Sequence, residues 1–288
     1  MTQPIRDPGR VAVLEKIAEY EKARRFDEDV EEDPPTIPLE PDKIDYLHKG
    51  IAGGCRRVAA FASAYVYFWN LERTGQMRLE PTEGLEHLAE VPGGAVLTCN
   101  HFHPMDSFIM QRVFDHSHHR KRMYRVIREG NYTSFPGYYG FLMRNCNTLP
   151  LSDNMQTMKK FLKAVEQVLA AGNCVLVFPE QSLWWQYRKP KPMKPGAFDL
   201  AARSHVPVVP CFITMRDSDT IGPDGFPVQV YTPHLGAPIY PDESLPRPRA
   251  REKLRRQAEQ FALQTYCQVY GQMPQYACGT VFPDADTP

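Results

Sequence analysis

Residues 93–114 have the sequence GGAVLTCNHFHPMDSFIMQRVF, and this stretch decides the fold class. Its first part, up to Cys99, is a short apolar run opened by two glycines, which predicts a buried β-strand. Its second part begins at Pro104, which suits the first turn of a helix, and Ile109 and Val113 share one face of that helix. A strand that leads directly into an amphipathic helix is typical of α/β proteins.

The same alternation of strands and helices continues downstream. Strands are predicted over residues 124–128, 147–151, 174–180, 206–214 and 228–233. Helices are predicted over residues 136–143, 155–169, 196–204 and about 250–270. We therefore predict an α/β fold, in which a mixed, largely parallel central sheet is flanked by helices and preceded by an N-terminal helical extension.

The first part of the chain differs in composition from the rest. Residues 8–25 have the periodicity of an amphipathic helix, whereas residues 26–43 are rich in acidic residues and prolines, which favour a mobile or extended chain. We divide the sequence into an acidic, proline-rich, mobile segment (1–45), a helical membrane-docking region (46–75) and one α/β domain (76–288).

The membrane-docking region is suggested by residues 58–69, VAAFASAYVYFW, which follow Arg56 and Arg57. This run is too short to cross a bilayer alone, because a spanning helix needs about 18 apolar residues. Two interpretations fit it. One is a buried helix, and the other is a helix that lies in the membrane interface, with an aromatic end and flanking arginines.

The bulk composition excludes some classes of function. Lys+Arg and Asp+Glu both number 34, and no basic patch is interleaved with stacking aromatics, so we expect no nucleic-acid partner. Two basic runs, 188–194 and 247–256, are either lipid-attracting or ordinary solvated surfaces. The seven cysteines form no CxxC pair, and the N-terminus has no apolar signal core. We expect exposure to a reducing, cytosolic compartment.

The residues that carry chemistry are His101 and Asp106, which lie across the predicted turn from strand to helix. Sites in open α/β sheets form at the carboxyl ends of strands. At this spacing the carboxylate can accept a hydrogen bond from one imidazole nitrogen and leave the other as a base. The alternative is that Asp106 caps its helix and His101 is an ordinary loop histidine.

A metal site is a second alternative for this region. Five histidines suggest it, namely His101, His103, His116, His118 and His119. The last three belong to the far end of the predicted helix, beside a basic run, so we predict no metal site.

Four sequence blocks resemble those of the glycerolipid acyltransferase family, whose best-known members acylate lysophosphatidic acid. NHFHPMD (100–106) resembles the first block, and GFLMR (140–144) looks like the second. VFPEQS (177–182) resembles the third, which is usually Phe-Pro-Glu-Gly-Thr, and VPVVPCFI (206–213) is similar to the fourth. The blocks occur in order over about residues 75–240.

The resemblance implies roles for individual residues. His101 would be the general base and Asp106 its orienting carboxylate, without a metal or other cofactor. The acceptor site would include Arg144 as a phosphate ligand, with four further residues, Asn100, Glu180, Gln181 and Ser182. Glu180 would orient Arg144 or bind an acceptor hydroxyl, because a carboxylate repels a phosphate.

The third block departs from the family pattern. Gln181 replaces a glycine, which removes a residue suited to positive φ or close approach. The arginine that commonly follows is replaced by Leu183-Trp184-Trp185, and the basic loop after it is a possible source of the missing charge. Both tryptophans are expected either to line a lipid groove, to lie at the interface or to be buried.

The expected function is acyl transfer from acyl-CoA or acyl carrier protein to a hydroxyl of a lysophospholipid, foremost 1-acylglycerol-3-phosphate. We expect a peripheral or monotopic enzyme on the cytoplasmic face of a membrane. A thioester or lipid hydrolase and a non-catalytic lipid-binding relative are the alternatives.

Overall fold

A computed structural model of the chain describes residues 5–47, 50–117 and 121–282. Its helices are α1 (Pro8–Lys22), α2 (Ile51–Arg73), α3 (Glu86–Ala89), α4 (Asp106–His116), α5 (Glu129–Thr133), α6 (Gly137–Asn145), α7 (Met155–Ala170), α8 (Gly196–Ser204) and α9 (Arg247–Tyr270). Its strands are β1 (Arg78–Leu79), β2 (Ala95–Thr98), β3 (Met123–Ile127), β4 (Thr148–Pro150), β5 (Cys174–Val177), β6 (Val208–Ile221) and β7 (Pro227–Leu235).

The strands form one mixed sheet in the order β1-β7-β6-β2-β5-β3-β4. The β6–β7 pair is antiparallel and the other pairs are parallel. The predicted α/β class is confirmed. Each strand and helix predicted downstream of residue 93 is found, although β6 extends to Ile221 and continues into a long hairpin with β7.

Two apolar layers cover the sheet. Helices α2 and α4 pack on one face, and α7, α8 and α9 pack on the other. Strand β2 is buried throughout, as expected for a parallel strand covered on both sides. The carboxyl end of β2, at Thr98, lies between Val177 of β5 and Pro210 of β6. His101 follows at this edge of the sheet.

The N-terminal segment differs from the prediction of a mobile chain. Phe26 stacks on Trp184 with ring centroids 5.6 Å apart, and Leu39 and Tyr46 are buried in the second core layer. The Tyr46 hydroxyl donates to the Pro150 carbonyl at 2.9 Å. The physical reason is that apolar side chains are interspersed among the acids, and their burial holds residues 26–46 on the domain.

Helix α2 begins at Ile51, later than the predicted helical region, because the preceding apolar residues insert into the core. One face of α2 is buried through Ala60, Ala64, Phe68 and Leu71. Within the described ranges, no helix combines the length and the hydropathy that crossing a bilayer would require.

Candidate active site

His101 and Asp106 form a hydrogen-bonded pair at the carboxyl edge of the sheet. The His101 Nδ1 lies 2.6 Å from the Asp106 Oδ2. Asp106 is the first residue of α4 and only 1% exposed, and its Oδ2 also accepts the backbone N–H of Phe102 at 3.2 Å. The carboxylate is therefore fixed by the strand-to-helix turn, and it fixes the imidazole.

The other face of the pair is open. The His101 side chain is 25% exposed, and its ring stacks on Phe178 with centroids 4.4 Å apart. Since Nδ1 donates to the carboxylate, Nε2 carries the lone pair. No hydrogen bond to Nε2 occurs within the part of the chain that the structure describes. The ring is thus oriented as a base with its free nitrogen available.

Glu180 and Lys191 form a buried ion pair behind His101. Glu180 is 2% exposed, and its Oε2 accepts the backbone N–H of His101 at 3.1 Å and lies 3.3 Å from Lys191 Nζ. Its Oε1 accepts the Lys191 backbone N–H at 3.3 Å. Burial raises the pKa of Glu180, and the Lys191 ammonium opposes that shift. Glu180 therefore positions the backbone of His101 and contacts neither Arg144 nor open solvent.

Ser182 is also buried, so its predicted role in substrate binding is not supported. Its Oγ donates to the Phe26 carbonyl at 2.6 Å and accepts from Lys191 Nζ at 2.7 Å. Lys191 comes from the basic loop that was expected to replace the missing arginine charge. It supplies that charge to the interior of the third-block loop.

Gln181 keeps the backbone conformation that a glycine would adopt there. Its φ is 62°, and its side chain is exposed. A non-glycine residue in the left-handed region costs on the order of 1–2 kcal/mol, and the Gln181 N–H donates to the Phe178 carbonyl at 3.2 Å within this loop. The substitution therefore preserves the shape of the loop.

Asn100 connects two strands and does not face a substrate. Its Nδ2 donates to the Ile213 carbonyl at 3.0 Å, and its Oδ1 accepts the Ile213 N–H at 2.8 Å. The side chain is buried, and both amide atoms are occupied. Asn100 thus fixes the end of β2 against β6, directly before His101.

Comparison with protein families identifies this region. Residues 81–214 match the family model described as Acyltransferase. This match to acyltransferases covers 134 of the 288 residues. The match includes the His101–Asp106 pair and all four sequence blocks that carried the resemblance, so the predicted resemblance to acyltransferases is confirmed and acyl transfer is supported.

A search of solved structures found this chain similar to the crystal structure of the 1-acyl-sn-glycerophosphate (LPA) acyltransferase, PlsC, from Thermotoga maritima. The two share 18% sequence identity, with a TM-score of 0.43, over 73% of this chain and 88% of that chain. No curated protein sequence matched significantly.

Arg144 is held by backbone carbonyls. Its Nη1 donates to the backbone carbonyls of Tyr132 and Phe135, both at 3.1 Å. Gly140 allows this approach, because a Cβ there would lie 1.8 Å from the Phe135 carbonyl oxygen. The guanidinium caps the turn between α5 and α6, and none of its contacts joins it to the His101–Asp106 pair.

Arg128 is a cation at this edge that the sequence analysis missed. It follows β3 directly, its side chain is 46% exposed, and it donates to the Gln181 carbonyl and pairs with Asp29. Asp33 lies 3.9 Å away. The signal available in the sequence was its position at the carboxyl end of a predicted strand, the same edge of the sheet at which His101 follows β2.

The tryptophans of the third block are buried. Trp184 donates its backbone N–H to the His101 carbonyl at 3.2 Å, and its Nε1 donates to the Glu28 carbonyl at 2.8 Å. Trp185 packs edge-on against Phe226. These contacts favour the buried interpretation over a lipid groove or an interfacial position.

The two basic runs are largely paired with acids of the same chain. In the loop, Lys189 pairs with Glu21 at 2.6 Å and Lys194 with Asp27 at 2.7 Å. On α9, pairs include Lys253–Asp242, Arg255–Glu252 and Arg256–Glu252. This internal pairing leaves less charge for lipid headgroups than the sequence suggested.

The histidines do not assemble into a metal centre in the described part of the chain, where no group of three or more His, Cys, Asp or Glu side chains is arranged for one. His118 and His119 lie outside the described residues. His103 Nδ1 accepts the Met105 N–H at 3.1 Å, which requires an unprotonated Nδ1. Burial lowers the pKa of His103 to about 4.

This depressed pKa predicts a pH-dependent stability. In the unfolded chain, the imidazole of His103 takes up a proton near its ordinary pKa, whereas in the folded protein it does so only near pH 4. The contribution of His103 to the free energy of unfolding is therefore complete above about pH 6.5 and is lost as the pH falls toward about 4. Because the ring is partly exposed, we expect a loss on the order of 2 kcal/mol. Urea unfolding at about pH 7.5 and about pH 5 measures it. His103→Asn keeps an acceptor but cannot titrate, and an equal loss in that variant would contradict the assignment.

An apolar cavity of about 310 Å³ lies beside the His101–Asp106 pair, between α2, α4 and α6. Met105 and Ser107, which flank Asp106, belong to its wall. The exposed rings of Tyr67 and Tyr138 mark its outer end, and the buried residue Gln111 marks its inner end. The other lining residues are mainly apolar and include Phe61, Ala64, Phe68, Phe108, Leu142 and Met143.

Proposed function

We propose that this acyltransferase transfers a fatty-acyl group from an acyl thioester of coenzyme A or acyl carrier protein to a hydroxyl of a lysophospholipid. The observation that carries the proposal is the 2.6 Å contact between His101 Nδ1 and Asp106, which leaves Nε2 free at an exposed edge. The acceptor implied by the sequence blocks is 1-acylglycerol-3-phosphate.

The reaction follows from the orientation of the ring. His101 Nε2 removes the proton of the acceptor hydroxyl as the oxygen attacks the thioester carbonyl. The resulting tetrahedral oxyanion collapses and breaks the carbon–sulfur bond. The imidazolium then returns its proton to the thiolate, so that an ester and a free thiol leave. Asp106 stabilises the imidazolium and holds the tautomer.

The two substrates are proposed to approach from different sides. The apolar cavity that begins at Met105 and Ser107 accommodates the acyl chain of the donor. Arg128, exposed at the end of β3, is the proposed ligand of the acceptor phosphate in place of Arg144. A guanidinium forms charge-assisted hydrogen bonds with phosphate oxygens.

The test is an acyl-transfer assay of the purified protein with a panel of lysophospholipids and both thioester donors, analysed by mass spectrometry. Formation of a diacyl product by the wild type, and its loss in His101→Ala, is expected. Thioester turnover at an equal rate without any acceptor would instead indicate a hydrolase. Lipid binding without turnover of any thioester would indicate a non-catalytic relative.

We also propose that α2 docks the enzyme peripherally on the cytoplasmic face of a membrane. The face of α2 opposite the core carries exposed apolar residues at helical spacing, with no charged residue among them from Val58 to Trp69. Arg56 and Arg57 directly precede Val58, and Arg73 follows Trp69. The stripe comprises Ile51, Val58, Ala62, Val66 and Trp69. Such a face suits burial at the level of the lipid headgroups.

A double substitution on this stripe tests the docking. Val58→Glu with Val66→Glu places two carboxylates where apolar area would be buried, so we expect vesicle binding to weaken by about tenfold or more. Co-sedimentation with vesicles that contain anionic lipid measures the effect. Val269→Glu, at an exposed valine of α9, is the matched control. Equal weakening by the control, or unchanged binding of the double variant, would contradict the proposal.

A further inference from the structure

A buried guanidinium forms part of the inner end of the apolar cavity. Arg125, on β3, is 5% exposed and belongs to the cavity wall. The ring of Phe61, another wall residue, lies 5.7 Å from its guanidinium carbon. A charged group therefore faces a space whose other surfaces are mainly apolar.

The partners of Arg125 are neutral. Its Nη2 donates to Gln111 Oε1 at 2.5 Å, its Nη1 donates to the Cys146 carbonyl, and its Nε has no partner among the described residues. Among the described residues, Gln111 links Arg125 to the carboxylate of Asp115, to which its Nε2 donates at 2.9 Å. Burial lowers the pKa of Arg125, which reflects the unfavourable desolvation of this cation.

Such an arrangement is unfavourable for stability alone. A buried charge without a direct counter-charge is destabilising, and an apolar side chain of similar size would fill the same place without that penalty. Each terminal nitrogen of Arg125 carries two N–H groups and donates to one protein acceptor, so this guanidinium at the cavity wall can also bind an oxygen atom of a ligand.

We propose that Arg125, oriented by Gln111, binds an oxygen substituent on the distal part of the donor acyl chain. The substituent is a hydroxyl, keto or carboxyl oxygen, and the inference rests on the proposed acyl transfer. The cavity thus selects oxygenated acyl chains over plain hydrocarbon chains.

The position of Gln111 sets the depth of this contact. It lies about a turn and a half beyond Asp106 on α4, which corresponds to about 7.5 Å along the helix axis. A chain whose thioester carbon is at His101 must extend several carbons to reach Arg125. Arg125 can therefore recognise an oxygen atom far along the acyl chain, but it cannot reach a hydroxyl on a carbon close to the thioester.

The experiment compares coenzyme A thioesters in matched pairs, methyl-ended and ω-hydroxylated, for octanoyl, lauroyl and palmitoyl chains, with β-hydroxypalmitoyl as a further donor. We expect kcat/KM to favour the ω-hydroxy donor by about tenfold at the length that reaches Arg125. The β-hydroxy donor should show no such preference. If kcat/KM of the ω-hydroxy donor is no higher than that of the methyl-ended donor at any chain length in the wild type, the proposal is overturned.

Variants locate the effect. Arg125→Met should remove the preference and improve the methyl-ended donors, whereas Arg112→Met, at a partly exposed arginine of α4 paired with Glu72, should keep it. A kcat/KM preference for the ω-hydroxy donor that is unchanged in Arg125→Met would also overturn the proposal. If thermal unfolding shows that Arg125→Met does not fold, the wild-type comparison decides. Absence of transfer from every donor would reject the proposed function, whereas transfer without preference would reject this inference only.

Discussion

Replacing His101 by alanine is expected to lower kcat for acyl transfer by roughly 10² to 10⁴, the usual contribution of a positioned general base. The variant keeps the fold, because the His101 side chain is partly exposed and the contacts of its backbone with Glu180 and Trp184 do not involve the ring. Steady-state kinetics at saturating donor and acceptor, with circular dichroism as the folding control, measure this.

A second substitution distinguishes orientation from simple presence of the ring. Asp106→Asn retains the shape of the residue, but its amide would leave the imidazole without a carboxylate to stabilise its protonated form. We expect a loss of kcat of similar order with little change in the donor KM. Activity equal to wild type in purified His101→Ala would reject the assignment of the site.

The part of the site that the sequence predicted is local. His101 and Asp106 are separated by one strand-to-helix turn, so the sequence pattern alone restricts how their side chains meet. The strands and helices of the sheet were predicted for the same reason, because hydrophobic periodicity is a local property.

The part that was missed depends on partners far apart along the chain. Ser182 is held by the carbonyl of Phe26, 156 positions away, and Glu180 by the N–H of His101, 79 positions away. Conserving a block of residue types does not reveal whether each side chain faces the substrate or the interior. The block at 177–182 therefore resembled a binding loop, although two of its polar side chains are buried.

The acidic N-terminal segment was misjudged from composition. Its acids and prolines favour a mobile chain, but a few apolar residues, Phe26 and Leu39 among them, are enough to hold it on the domain. Composition averages over a segment, whereas packing depends on where the individual apolar side chains fall.

The second large effect expected is on stability, from Lys191→Met. This change leaves the Glu180 carboxylate buried without its counter-charge and removes two hydrogen bonds to Ser182. Breaking a buried pair by removing one partner costs about 3–5 kcal/mol, which urea unfolding measures. Lys194→Met, at an exposed pair with Asp27, is the matched control and should cost about 0–1 kcal/mol.

The double variant Lys191→Met with Glu180→Gln separates lost charge pairing from lost packing. Because no uncompensated charge remains, we expect it to recover much of the free energy of unfolding. Without the ammonium, the pKa of the folded Glu180 carboxyl rises further above its unfolded value, so folding takes up a proton. The loss in free energy of unfolding caused by Lys191→Met should therefore shrink as the pH falls from about 8 to about 5. A deficit that is the same in the single and double variants and independent of pH would mean that Lys191 acts by packing alone. His101 would then owe the position of its backbone to the loop as a whole and not to the buried ion pair.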